Sequence, residues 1–315
     1  MQLLFYLGKR IGQLIPILIG ITIVSFVLIR LVPGDPAIQL LGNHYTPRAA
    51  AAVRHGLGLD RSLPAQYWLF LRNSLSGNLG TSYYYHDSVG HELATRFPAT
   101  IFLIAFAGIL TVVITLPVGT ISALRQGGVT DHAARVFFLV GYALPGFLIG
   151  VLLILLFGVK VPIFPISGYG TGFASHVGHL FLPAVTLAIP FSTVLIRSLR
   201  ATVIDVLGAD YVTTAKLKGL RWFTVLRRDV LPNSLLPLIV VFGVNLAFLV
   251  GGTVVIENVF SIPGLGSLLV NSVSTRDFPV VQGLTLFFGV FVLVVNLVTD
   301  VVHVSLDPRL SVKAV

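Results

Sequence analysis

"GADYVTTAKLKGLRWFTVLRRDVLPNSLLPL", residues 208–238, is the most polar stretch of a chain otherwise dominated by apolar runs. It sits between two of those runs, at 180–196 and 235–256, and its residues spell out a short helix. Gly208 can end whatever precedes it. Asp210 is a good N-cap, its carboxylate able to accept from amides of the following turn. Gly219 can supply the positive φ that a helix C-terminus commonly adopts. Tyr211 to Lys218 would then make about two turns, roughly 12 Å at 1.5 Å per residue. Helices below about 12–15 residues rarely persist alone in water, so something must pack against this one. Leu220, Trp222, Phe223, Val225 and Leu226 extend the apolar surface before Leu231 and Pro232.

The surroundings explain why the stretch stands out. Of the 315 residues, 55% are hydrophobic and only 10% charged, with a mean hydropathy of +0.94. A soluble domain carries about 25% charged residues, so the solvent of this chain is largely lipid. The absence of cysteine excludes disulfide frameworks, thiolate metal sites and cysteine nucleophiles. The net charge of +9 would suggest nucleic acid in a soluble protein, but here the charges lie in the gaps between apolar segments.

A bilayer core of about 30 Å takes roughly 20 apolar residues in a helix. Segments 11–29, 99–122, 136–159, 235–256 and 279–302 meet that requirement. A sixth, 180–196, is shorter and holds Pro183 and Pro190, which predicts a kinked helix. The first segment reads as a retained span, because "LVPGDP" follows it where a signal peptide would have a small-x-small cleavage site. With the amino terminus placed in the cytoplasm, 13 of the 21 basic residues fall inside, among them Lys9, Arg10, Arg125, Arg135, Arg197, Arg200, Arg309 and Lys313. The short outer loops then hold only Lys160 and Arg276, so the positive-inside bias puts both termini in the cytoplasm. The chain divides accordingly into an N-terminal span (1–32), a long outer loop (33–98) and a five-span core (99–315) with the polar connection at 198–234.

The outer loop carries helix signals of its own. Thr46 and Pro47 read as an N-cap followed by proline at the first helical position, with Gly56 closing that helix. A second helix follows Pro64, bears Tyr67, Trp68 and Phe70, and is broken by "SGNLG". Val89, Leu93 and Phe97 recur every four residues as an amphipathic lead into the next span. Helices of this kind suit the membrane interface, where tryptophan and tyrosine are favoured.

On these residues the chain resembles the permease subunits of ABC importers for dipeptides, oligopeptides and nickel. Their cytoplasmic loop follows the pattern E-A-A, three residues, Gly, nine residues, a hydrophobic residue, one residue, Leu-Pro. Here it becomes Thr213-Thr214-Ala215, then Gly219, then Asp229 and Leu231-Pro232, with the glutamate and the hydrophobic residue replaced. The peptide branch commonly has a "YVRTARAKGL"-like run, and "YVTTAKLKGL" at 211–220 is close to it. "PGDP" (33–36), "GNLGTSY" (77–83), "RFPAT" (96–100), "ALRQGGVTD" (123–131), "ENVFSIPGLGSLL" (257–269), "RDFPVVQG" (276–283) and "DPRL" (307–310) extend the resemblance in order along nearly the whole chain.

The resemblance implies an all-α membrane protein of six transmembrane helices, the type I ABC importer permease fold, with a long helical first extracytoplasmic loop. It implies a place in a bacterial or archaeal cytoplasmic membrane. The expected partners are a second related permease subunit, two cytoplasmic ATPase subunits and an extracytoplasmic binding protein. ATP and magnesium are expected on the ATPases, no cofactor or metal on this chain, and no nucleic acid. Consistently, the chain contains no G-x-x-x-x-G-K-[ST] phosphate loop. Asp210, Tyr211, Val212, Thr213, Thr214, Ala215, Lys216, Leu217, Lys218, Gly219 and Leu220 are the candidate contact for an ATPase. The bland alternative is that the loop only joins two spans and its charges fix topology, but topology needs no capped helix.

Polar residues within the spans are functional candidates by default. Asn245 either lines the path of the cargo or bonds a neighbouring helix. Asn296 belongs to the same set, and Asp300 reads as reaching water or a basic partner. Glu257 opens the third outer loop and faces either cargo or the interface, and "SIPGLG" after it reads as a turning segment. His86 and His91-Glu92 fit no zinc pattern, and His303 reads as interfacial. Two other classes compete with transport by an ABC machine. An outer-face enzyme would use His44, His55, His86 and Asp87, but these form no nucleophile–base pair. A secondary transporter would bury coupling charges at mid-membrane, where these spans are almost bare.

Overall fold

The computed structural model describes residues 2–31, 38, 41, 46–56 and 58–306. The "PGDP" and "DPRL" motifs, His44, Arg309 and Lys313 lie outside the described residues, as do the side chains of Lys9 and His303. In chain order the helices are α1 (Gln2–Leu31), α2 (Pro47–Gly56), α3 (Leu63–Leu75) and α4 (Val89–Leu124). Then come α5 (Val129–Ala143) and α6 (Gly146–Leu153, prolonged by a π-helical segment Ile154–Lys160). α7 (Phe173–Leu207) and α8 (Asp210–Leu217) follow. α9 (Trp222–Val225) runs through a π segment, Leu226–Val230, into α10 (Leu231–Val259). α11 (Leu265–Ser274) and α12 (Phe278–Leu306) complete the order.

Among the described residues, Val89–Leu124, Phe173–Leu207, Trp222–Val259 and Phe278–Val302 are long and apolar enough to cross a membrane, and α5 with α6 forms a fifth, broken candidate. α1 is one continuous helix whose apolar portion is Gly12–Val27. Two of the expected spans take a different form. Segment 136–159 is not one straight helix: α5 and α6 meet at 107°, because Pro145 forces Leu144 into an extended conformation (ψ 130°) and caps the next helix. Segment 180–196 is not a short kinked span but the middle of the 35-residue α7. Pro183 lies buried in it, and around Pro190 the Thr186, Ser192 and Thr193 hydroxyls donate to carbonyls three or four residues back.

α7 also forms the core of one of two compact units, which comprises Met1–Leu7, Ala99–Pro263 and Val294–Val315. It packs against α5, α6 and α10, and Leu180, Leu182, Leu195, Ile196 and Leu199 are almost wholly enclosed. Within this unit α10 and α12 cross closely: a Cβ on Gly243 would overlap the Thr299 side chain, so only glycine fits there.

The second unit comprises Gly8–Pro98 and Gly264–Leu293. Its core gathers Val89 and Leu93 with Leu265, Leu268, Val280 and Leu284. The amphipathic lead at 89–97 is thus real, but it continues without a break into the span as α4. The α2 start follows the expectation, with the Ala49 amide donating to Thr46 Oγ1 at 3.1 Å. α11 has no counterpart in the sequence reading, which takes "SIPGLG" at 261–266 as a re-entrant or turning segment.

A single carboxylate ties this unit's loops together. Asp277 is fully buried and accepts from the Ser82 hydroxyl, from the Tyr83 amide at 3.0 Å and from the Tyr84 amide at 3.3 Å. Burial, reinforced by the Asp277 charge, pushes the Tyr83 phenol up to about 12. A raised phenol favours the fold below its ordinary value of 10, and that contribution is lost as pH climbs from 10 toward about 12. Replacing Asp277 by Ala leaves three donors stranded, and the expected cost is about 3 kcal/mol. It would be read as lowered resistance of the 78–88 loop to protease, with Asp277→Asn falling between Ala and the parent.

Candidate functional site

The α7–α10 connection is where the chain leaves its own core. α7 ends at Leu207 on Gly208, and Ala209 then takes an extended conformation (φ −72°, ψ 144°) as the true N-cap of α8. Asp210 is therefore the first residue of the helix and makes no side-chain cap, contrary to the sequence reading. Its charge still lies at the positive end of the helix dipole. The other end follows expectation closely. Gly219 has φ +75°, its amide reaches Lys216 O at 3.0 Å, and the Leu220 amide reaches back to Ala215 O at 3.4 Å. That pair of bonds is the Schellman stop, and it requires a left-handed conformation at the first of the two donors, Gly219.

The two turns have two faces. Val212 is fully buried and Ala215 packs beside it on the core of the first unit, which anchors α8 to α7. Tyr211, Thr213, Thr214, Lys216, Leu217, Lys218, Gly219 and Leu220 are exposed. Leu217 is 84% exposed, and Phe223, on the turn that follows, is 70% exposed. The Lys216 ammonium lies 5.1 Å from the Trp222 ring centre, which pins the connection from α8 to α9. This chain covers one side of α8 and leaves the apolar and basic side bare.

Just behind α8, the end of α7 is latched to the start of α5. Asp131 is completely buried. It accepts from Arg200 Nε at 2.7 Å and Nη2 at 2.9 Å, from Arg135 at 2.8 Å, from Ser122 at 2.6 Å and from the Gly127 amide at 3.0 Å. Sequence reasoning counted Arg135 and Arg200 as topology charges and passed over Asp131. The signal it had was a lone acid within a short basic loop.

The remaining candidates do not converge. Asn245 lines a cavity of about 720 Å³ between α5, α6, α7 and α10, beside Tyr142, Phe191, Arg197 and Phe248. Its amide nitrogen donates to Val241 O at 2.7 Å, which leaves the carbonyl oxygen for other partners. Glu257 is fully buried, accepts from Thr100 at 2.6 Å, and does not line that cavity. Asn296 is half-buried on α12 and is likewise outside the lining. Among the described residues no acid lines the cavity, and Arg197 is the one charged group on it.

Comparison with known proteins agrees with this geometry. Residues 115–312 match the family described as the binding-protein-dependent transport system inner membrane component, and residues 3–104 match the N-terminal part of such components. The glutathione transport system permease protein GsiC of Pectobacterium atrosepticum is 36% identical over 99% of this chain and 100% of its own. The di/tripeptide transport system permease protein DppB of Pseudomonas aeruginosa is 37% identical over 98% of this chain and 99% of its own. A chain of the MetNI methionine ABC transporter, solved in inward-facing conformations, shares the fold with a TM-score of 0.56, at 17% identity, over 68% of this chain and 96% of its own. The all-helical architecture, the bare two-turn helix and full-length kinship lead to one conclusion: the chain belongs to the binding-protein-dependent transport system inner-membrane components, and is a multi-pass permease subunit of an ABC importer.

Proposed function

We propose that this chain forms half of an import pore for di- and oligopeptides, with both termini and α8 in the cytoplasm and 33–98 in the outer half of the membrane and beyond it. The observation that carries the reading is the exposed face of α8: a helix of eight residues, anchored by Val212, whose Tyr211 and Leu217, with Leu220 just after it, find no cover among the described residues. Such a helix is worth keeping only if a partner covers it. A groove on a cytoplasmic ATPase is that partner, and Lys216 and Lys218 give the contact a positive rim. ATP and magnesium are held by two ATPase subunits. A second, related permease closes the pore, and an extracytoplasmic binding protein delivers the cargo.

The peptide assignment is supported by the relatives named for di/tripeptide and glutathione transport, since glutathione is itself a tripeptide. Nickel, the other cargo named for the permeases this chain resembles, finds no comparable support. In this reading the cavity beside Asn245 is the chain's share of the path, while Glu257 holds a wall rather than meeting cargo. The Asp131–Arg200 latch makes α5 follow α7 when α8 is pulled.

Gly219 separates coupling from folding. Valine there must adopt a left-handed backbone at a cost of about 1–3 kcal/mol, whereas asparagine tolerates it. With partner subunits present, Gly219→Val is expected to lower both peptide uptake and binding-protein-stimulated ATP hydrolysis several-fold, and Gly219→Asn to retain most of both. Unchanged values in the valine variant would remove α8 from the coupling path. Arg200→Met, which leaves Asp131 buried with its main partner gone, is expected to cost about 3–5 kcal/mol. Thermal unfolding of the purified complex measures it, with Arg200→Lys intermediate because it forfeits the bidentate geometry.

A further inference from the structure

We infer that α3 is a lipid-binding helix: its outward face, carrying Trp68 and Leu75, is covered by phospholipid acyl chains beside α1. The inward face sets the depth. Tyr67 and Thr22 hydroxyls lie 2.7 Å apart, Tyr67 meets the Phe26 ring edge-on at 5.2 Å, and Phe70 lies against the same ring at 5.9 Å. Arg30 closes the end of the seam, donating to Gln66 Oε1 at 2.6 Å with its guanidinium 3.4 Å from the Phe26 ring centre. Thr22 and Phe26 belong to the apolar Gly12–Val27 portion of α1. At 1.5 Å per residue, Thr22 lies about 10 Å below the end of the apolar run at 29. A helix bolted to those two residues is held at hydrocarbon depth.

The opposite face of α3 has the composition that this depth requires. Pro64, Ala65, Trp68, Arg72 and Leu75 recur at helical spacing and are all exposed. Trp68 is 67% and Leu75 81% exposed, and with Pro64 and Ala65 they put apolar surface along one face of the helix. On α1 itself, Ile15, Ile19, Ile23 and Val27 are exposed along one stripe, so the bare surface of α3 continues a surface that already faces lipid. Arg72 lies between the two apolar anchors and can reach a headgroup phosphate by extending along its own stem.

The inference rests on α1 crossing the membrane, and the test separates the two. The chain has no cysteine, so an introduced thiol is its only maleimide target. Trp68→Cys, Leu75→Cys and, on the lipid stripe of α1, Ile19→Cys are placed singly in the assembled transporter. Open membrane sheets are treated with a membrane-impermeant sulfonated maleimide, and labelling is scored as a gel shift of this chain against an SDS-denatured sample. The expected result is at least ten-fold slower labelling at all three positions in the membrane than after denaturation. Fast labelling at 68 and 75 with 19 protected would overturn the lipid assignment while leaving the span intact. Fast labelling at 19 as well would overturn both. Protection of 68 and 75 that appears only when the binding protein is added would show a protein-covered face instead, and would also overturn it.

Discussion

Hydrocarbon offers no hydrogen-bond partner to a peptide group, and that constraint governs this molecule. Every long segment answers it by becoming helix, including α7, which carries two prolines that would break a helix in water. Near them, threonine and serine hydroxyls of the same helix add bonds to the Leu182, Ile189 and Pro190 carbonyls, and α5, α6 and α10 pack around the helix. Irregular backbone is confined to the ends of helices. The places where the chain can do something other than span are therefore few, and α8 occupies an exposed one.

The polar groups that the fold buries are spent on holding connections rather than on chemistry. Asp131 gathers two guanidiniums, a hydroxyl and an amide at the junction of α5 and α7. Asp277 gathers a hydroxyl and two amides at the base of the 78–88 loop. Each is a buried carboxylate whose removal strands several donors, so each makes its junction all-or-none. A subunit driven from outside by another protein benefits from junctions that move as units, because force applied at one helix must reach the next without being absorbed.

Several readings were available from residue types alone because they depend on local chemistry. The apolar runs, the stop at Gly219, the proline start of α2 and the break after α3 are properties of a few consecutive residues, and they appear where those residues are. The ordered motifs that carry the family resemblance are of the same kind. Pro145 was equally legible and was overlooked inside an otherwise uninterrupted apolar run, although a proline there dictates the 107° turn between α5 and α6.

Other features are properties of pairs distant in the chain, and composition and spacing are silent about them. That Glu257 is sealed under Thr100 rather than open to cargo, that Asn245 alone of the span candidates reaches the large cavity, and that Arg200 answers Asp131 all depend on which helix lies beside which. The same holds for the seating of α3 on α1, set by Tyr67 against Thr22 across 45 positions of sequence. Sequence by itself determined the solvent, the class of fold and the handle at 210–220, because hydropathy, glycine and proline act over a turn or two of chain. Only the packed structure decided which polar groups meet, because an amphipathic partner specifies a face to be covered and not the element that covers it.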